Sequence, residues 1–163
     1  MNNDVVLKLY EKYAQDIFRF AYSYLNSYSD AQDVVHEVFL KMLKSNIRIT
    51  EGKEKSYILK MAANNCKDLL KSKNRSAVIS FDELPSSAEA YEDDFKDNEL
   101  TAALKKIPEN YRIVIHLHYY EELSVKETAK ILKLSVSCVS MRLTRAKEML
   151  REALKEYSYE EIL

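Results

Sequence analysis

The sequence predicts an all-α protein, two small helical domains joined by a flexible acidic linker. Three observations carry that prediction. The 163 residues include one glycine, Gly52, and two prolines, Pro85 and Pro108, too few turn-formers for an all-β fold. Apolar residues recur at spacings of three and four along most of the chain, the period of helices that bury one face. Charge is segmented although the net charge is only −1. Residues 53–75 carry seven Lys or Arg against two acids, residues 82–99 eight acids against one lysine, and residues 124–151 seven Lys or Arg against two acids. Two basic blocks around an acidic stretch suit two nucleic-acid-facing modules on a linker, and equally two ordinary solvated helix faces.

The first helix is expected over residues 5–25, with Val6, Leu9, Tyr13, Ile17, Phe20, Ala21 and Tyr24 on one stripe and a break near Asn26. Ser29 and Gln32 have capping-box spacing and would open the second helix, which buries Ala31, Val34, Val35, Val38, Phe39, Met42 and Leu43. Residues 46–53 interrupt the pattern and hold Gly52, so they read as a loop. A third helix over 54–71 buries Ile58, Met61, Ala62, Cys66 and Leu69. Periodicity is lost over 76–97, the linker, and resumes with Leu100, Ala103, Leu104 and Ile107. Pro108 suits the first turn of the next helix, where its missing N–H costs nothing. Ser124 and Glu127 then form a second capping box, before a short helix with Val125, Ala129 and Leu132 inward. A tight break at Lys133-Leu134-Ser135 leads into a longer helix burying Val139, Leu143, Ala146 and Leu150. Short helix, tight turn, longer helix is a helix-turn-helix. The outer face of its second helix shows Ser137, Ser140, Met141, Thr144 and Arg145, with Arg142 and Lys147 at the sides, donors suited to a major groove.

Other classes lack their residues. Cys66 and Cys138 have no zinc-ligand spacing and form no disulfide framework. His116 and His118 are two apart, on different helix faces, and read as structural histidines. There is no Ser/His/Asp arrangement and no glycine-rich phosphate loop, so no enzyme and no cofactor is expected. With no apolar run of membrane-spanning length and no signal peptide, a cytoplasmic protein without membrane insertion is expected.

Three ordered blocks resemble the sigma-70 family of RNA polymerase sigma factors, in its short extracytoplasmic-function (ECF) class. DAQDVVHEVFLKML (30–43) resembles the second sigma region, and YILKMAANNCKDLLKSKNR (57–75) the tryptophan-led helix that follows it. The span from Ile107 to Glu152 resembles the fourth region throughout. The chain departs from the family pattern at Tyr57 (usually tryptophan), His36 (glutamine), Ile107 (leucine), Lys133 (glycine) and Ser140 (arginine or lysine). If Lys133 takes the positive φ of that glycine, the strain is about 1 kcal/mol.

The resemblance implies a domain over 1–75 for core polymerase binding and −10 recognition and melting, a linker over 76–97, a −35-reading domain over 98–157 and a tail over 158–163. It assigns Asp33, His36, Glu37 and Leu40 to the surface gripping the β′ clamp helices, with the β flap as a further polymerase contact. Lys53, Lys55, Tyr57, Lys60, Asn64, Lys67, Lys71 and Arg75 would serve the −10 element, the lysines and arginine together with Lys73 as a cationic track. Tyr57 suits a stacked base or a packed aromatic, and loop 46–53 lies where the family captures a flipped base. In the fourth region Ser140, Met141, Thr144 and Arg145 would face bases, with Ser137 also on the −35 surface, while Arg112, Lys126 and Arg142, and the amide ends at Ser124 and Val136, would meet phosphates. Promoter DNA and an anti-sigma factor are the other implied partners. Two rival readings are a helix-turn-helix regulator, which leaves residues 30–75 unexplained, and a sigma-like polymerase-binding regulator without promoter opening.

Overall fold

The computed structural model describes the backbone of residues 2–75 and 99–162, and the side chains of 2–72 and 99–155. The expected linker over 76–97 lies outside the described residues, as do the side chains of Lys73 and Arg75. The chain divides into two units, one holding the first three helices and the other the rest. Among the described residues there is no strand, and no helix is long and apolar enough to cross a membrane.

In the first unit, helix α1 spans Asn3–Leu25, α2 Tyr28–Lys44 and α3 Glu54–Arg75, and each packs on the other two. Asn2 caps α1 by accepting a bond from the Asp4 amide, and Asn26 ends it in the left-handed region at φ 53°. The cap of α2 is Ser27, not Ser29: its hydroxyl accepts the Asp30 amide at 3.4 Å. Tertiary packing explains the choice. Starting the helix at Tyr28 puts that ring 5.3 Å from Phe18 and 5.0 Å from Tyr22, centroid to centroid.

The three-helix core centres on Ile17, Phe20, Val34, Val38, Met42, Ile58 and Leu59, all fully buried. Truncating Phe20 to alanine would cost about 3–5 kcal/mol through the cavity it leaves. Three expected core assignments are corrected. On α3 the buried stripe runs through Leu59 and Ala63 as well as Ile58, Ala62 and Cys66; Met61 falls at its edge and Leu69 lies beyond its last buried turn, both half-buried. On α2 the stripe ends at Met42, and Leu43 remains 43% exposed. Burial pushes the Cys66 thiol well above its ordinary range, with the nearby Asp30 charge adding to the effect.

The second unit contains α4 (Glu99–Lys105), α5 (Glu109–Ile115), a π turn (His116–Tyr120), α6 (Val125–Leu132) and α7 (Val136–Ile162). Helix α7 runs on to Ile162, through most of the segment expected as a tail. It is the spine against which α4, α5 and α6 pack. Ile113, Val114, Leu117, Ile131, Val139 and Ala146 form the core, while Leu100, expected inside, is exposed. Pro108 stands just before α5 as its N-cap rather than in its first turn. Lys133 does take the left-handed conformation, at φ 57°, and its amide bonds back to the Ala129 carbonyl. That tight turn, with small buried Ala129, sets α6 against α7.

Candidate nucleic-acid interface

In the first unit the candidate residues fall on outward faces. On α2, Asp33, His36, Glu37 and Leu40 are all exposed, whereas Val34, Val35, Val38 and Phe39 between them are buried. The exposed strip is therefore acidic with an apolar member, since Leu40 is 44% open to solvent. The nearby Lys41 ammonium reaches Asn65 Oδ1 at 3.5 Å, tying α2 to α3.

On α3, Tyr57, Lys60, Asn64, Lys67 and Lys71 recur at helical spacing on the side opposite the buried stripe. Lys60 and Lys71 are exposed, and Tyr57, Asn64 and Lys67 half-buried. Lys53 is exposed just ahead of the helix. Lys55 does not join them: two residues from Tyr57, it lies half-buried on the core side of the first turn. Tyr57 thus stands on the cationic face and not among the core aromatics. The loop between α2 and α3 closes on a β-turn-like bond from the Lys53 amide to the Thr50 carbonyl, while Glu54 accepts the Gly52 amide at 3.0 Å. Beside it is an open groove of about 690 Å³ lined by Val5 and Leu9 of α1, by Ile47, Arg48 and Ile49 of the loop, and by Glu54. Sequence reasoning missed the α1 side of this groove, because only the loop's folded path brings Ile47 and Ile49 to Val5.

In the second unit, Ser137, Ser140, Met141, Thr144 and Arg145 are all exposed on one side of α7, with Arg142 half-buried on the flank. The Thr144 hydroxyl donates to the Ser140 carbonyl at 3.1 Å. Its hydroxyl being used within the helix, Thr144 offers chiefly its methyl group outward. The Ser135 hydroxyl caps α7 by accepting the Cys138 amide at 3.1 Å, and the first turn of α7 holds no acid. That end is suited to a negative charge. The start of α6 is different. Ser124 accepts the Glu127 amide at 3.0 Å and donates to Glu127 Oε1 at 3.1 Å, so a carboxylate already occupies this end. Lys126 is exposed beside it. Arg112 is half-buried and donates to the Ile107 carbonyl at 2.9 Å, holding the turn between α4 and α5.

The π turn was not foreseen. The Glu121 amide bonds to the His116 carbonyl five residues back, and Glu122 then takes φ 58°. Glu121 is buried, with Oε1 3.3 Å from His116 Nε2, and His118 Nδ1 donates to the Leu123 carbonyl at 2.8 Å. Both histidines therefore shape the turn that precedes the helix-turn-helix.

Comparison with known proteins agrees with this division. A family model described as sigma-70 region 2 matches residues 9–76, and one described as sigma-70 region 4 matches residues 97–150. RNA polymerase sigma factor SigV of Bacillus subtilis is 31% identical over 84% of the chain and 83% of its own length. The ECF RNA polymerase sigma factor SigM of the same organism is 26% identical over 88% of the chain and 91% of its own length. Among solved structures, the sigma factor RpoE in complex with the anti-sigma factor NepR from Bartonella quintana superposes with a TM-score of 0.72. It is 17% identical, over 90% of this chain and 94% of that one, a likeness of fold.

Proposed function

The chain belongs to the sigma-70 family, in its ECF class, and directs promoter-specific transcription initiation; on that premise we propose how its two units divide the work. In the family the catalysis belongs to the polymerase, and the sigma factor supplies recognition. Asp33, His36, Glu37 and Leu40 dock on the β′ clamp helices. Carboxylates four apart on one helical face can pair with basic side chains of the partner and fix register, and Leu40 adds apolar area.

The face of α3 serves the −10 element. Opening a duplex exchanges base stacking for protein contacts, which requires charge along the strand and somewhere to put an unstacked base. Lys53, Lys60, Lys67, Lys71 and Arg75 supply the charge, Tyr57 a stacking surface, and Asn64 an amide at the upstream edge of the melted segment. The groove beside loop 46–53 receives the flipped base. Ser137, Ser140, Met141 and Arg145 meet bases of the −35 duplex, Thr144 contributes its methyl, and Lys126, Arg142 and the capped start of α7 meet phosphates. Two modest DNA contacts combine because one chain links them. Outside the DNA, the β flap meets the second unit, an anti-sigma factor covers the polymerase-facing surfaces, and the setting is the cytoplasm.

The observation that carries this reading is that the assigned residues of α2, α3 and α7 with described side chains, Lys55 apart, lie on faces distinct from the core, in both units. A stand-alone helix-turn-helix regulator would need only the second. Electrophoretic mobility shifts with promoter DNA separate the two. A sigma factor gives a specific shift only with core polymerase present. Equal shifts without polymerase would refute the assignment of the first unit.

A further inference from the structure

The exposed side of α7 continues past the residues assigned to bases. Lys147 stands two helical turns after Ser140 and three residues after Thr144, so it prolongs the same side of the helix and is itself exposed. Its ammonium lies 5.3 Å from the centre of the Tyr119 ring. Tyr119 belongs to the π turn and is 50% exposed, yet it is held by more than Lys147. The His118 ring meets it edge-on with centroids 4.9 Å apart, and the bond from His118 to the Leu123 carbonyl pins that ring in turn. Its neighbour Tyr120 is drawn away onto His116, ring centroids 4.9 Å apart and nearly parallel. A half-exposed tyrosine is thus fixed at the flank of the helix that faces DNA.

We infer that Tyr119 and Lys147 form a clasp for one backbone phosphate at the edge of the −35 duplex. The inference rests on the reading of α7 as the −35-reading helix. The ring supports the ammonium from one side and leaves its remaining hydrogens for an anion. The phenolic hydroxyl is a donor that a phosphate oxygen can accept. Neither group reads sequence; together they anchor this flank of α7 to the backbone whatever bases lie beside it. Fixing both side chains beforehand lowers the ordering cost of the contact.

The test uses holoenzyme reconstituted from core polymerase and full-length protein, on a promoter duplex selected by that holoenzyme and on the same duplex with its −35 element scrambled. Dissociation constants are measured over a salt series. Lys147→Gln is expected to reduce the slope of log K against log salt by about one and to weaken both duplexes by the same factor. Tyr119→Phe is expected to keep the slope and weaken both about three- to tenfold. An unchanged slope and unchanged affinity for Lys147→Gln would overturn the clasp, and so would a loss confined to the cognate duplex. Arg145→Ala, measured alongside, separates the two levels. If Arg145→Ala loses −35 preference and Lys147→Gln changes nothing, the clasp alone fails. If Arg145→Ala keeps the preference while Lys147→Gln flattens the slope, the clasp stands and the base-reading assignment fails. Both clasp residues are exposed, and matching thermal melts confirm that the variants fold.

Discussion

Reversing one charge on α2 tests the proposed polymerase contact apart from everything else the chain does. Asp33 is exposed one turn before Glu37, and Leu40 lies beside them at 44% exposure. None of the three contributes to the buried core. A surface substitution of this kind changes stability by about ±0.5 kcal/mol, so Asp33→Arg should melt with the parent protein. At the interface the same change replaces an attraction by a like-charge contact, which costs about 2–4 kcal/mol. That is a loss of roughly 30- to 1,000-fold in affinity for core polymerase. Leu40→Ala should cost less, about 1 kcal/mol, because nearly half of a leucine's burial is still to be gained on docking. The assay is a fluorescence titration of labelled protein with core polymerase, with thermal melts of each variant as the folding control. Parent-like affinity for Asp33→Arg, with an unchanged melt, would refute the assignment of α2. A destabilised Asp33→Arg would refute the claim that the strip is independent of the core.

Arg145→Ala should cost about 1–3 kcal/mol on the cognate −35 duplex and little on a scrambled one, read as a competition binding ratio with holoenzyme. Lys133→Gly should stabilise the protein by about 0.5–1 kcal/mol in urea denaturation, because φ 57° costs a lysine what it does not cost a glycine. Cys66 is fully buried and Cys138 only partly, so alkylation of the folded protein followed by mass spectrometry should mark Cys138 alone. The raised Cys66 thiol has a stability consequence of definite sign. In the unfolded chain it ionises as pH rises through its ordinary value of 9.0, while in the folded chain it stays protonated, so stability falls above that pH. Denaturation curves of Cys66→Ala should show a weaker decline over the same window.

The amphipathic stripes were legible because each buried face repeats at helical spacing, and the box of Ser124 and Glu127 because both partners lie within one turn. The left-handed Lys133 could be anticipated from the glycine usual at that position. What escaped the sequence depended on contacts distant along the chain. Ser27 and Ser29 both offer capping hydroxyls, and the docking of Tyr28 on Phe18 and Tyr22 decides between them. Leu43 has the spacing of the buried stripe of α2 but falls at the edge of the bundle, where no neighbour covers it fully. The π turn has no spacing signal of its own, since one extra residue in a helix leaves the apolar pattern readable on either side. It nonetheless buries Glu121 and sets out Tyr119, neither of which the sequence singled out. On α3, Lys55 belongs to the basic block by composition, yet only the helix phase shows that it faces away from Tyr57, Lys60 and Lys67.

As a sigma factor, this chain makes bacterial core polymerase start at promoters it would otherwise ignore. Run-off transcription from a promoter library, with and without the protein, tests it most directly. New start sites sharing −35 and −10 elements, appearing only when the protein is added, are the predicted result. Polymerase that binds the protein and starts nowhere new would contradict the account and leave a polymerase-binding regulator in its place.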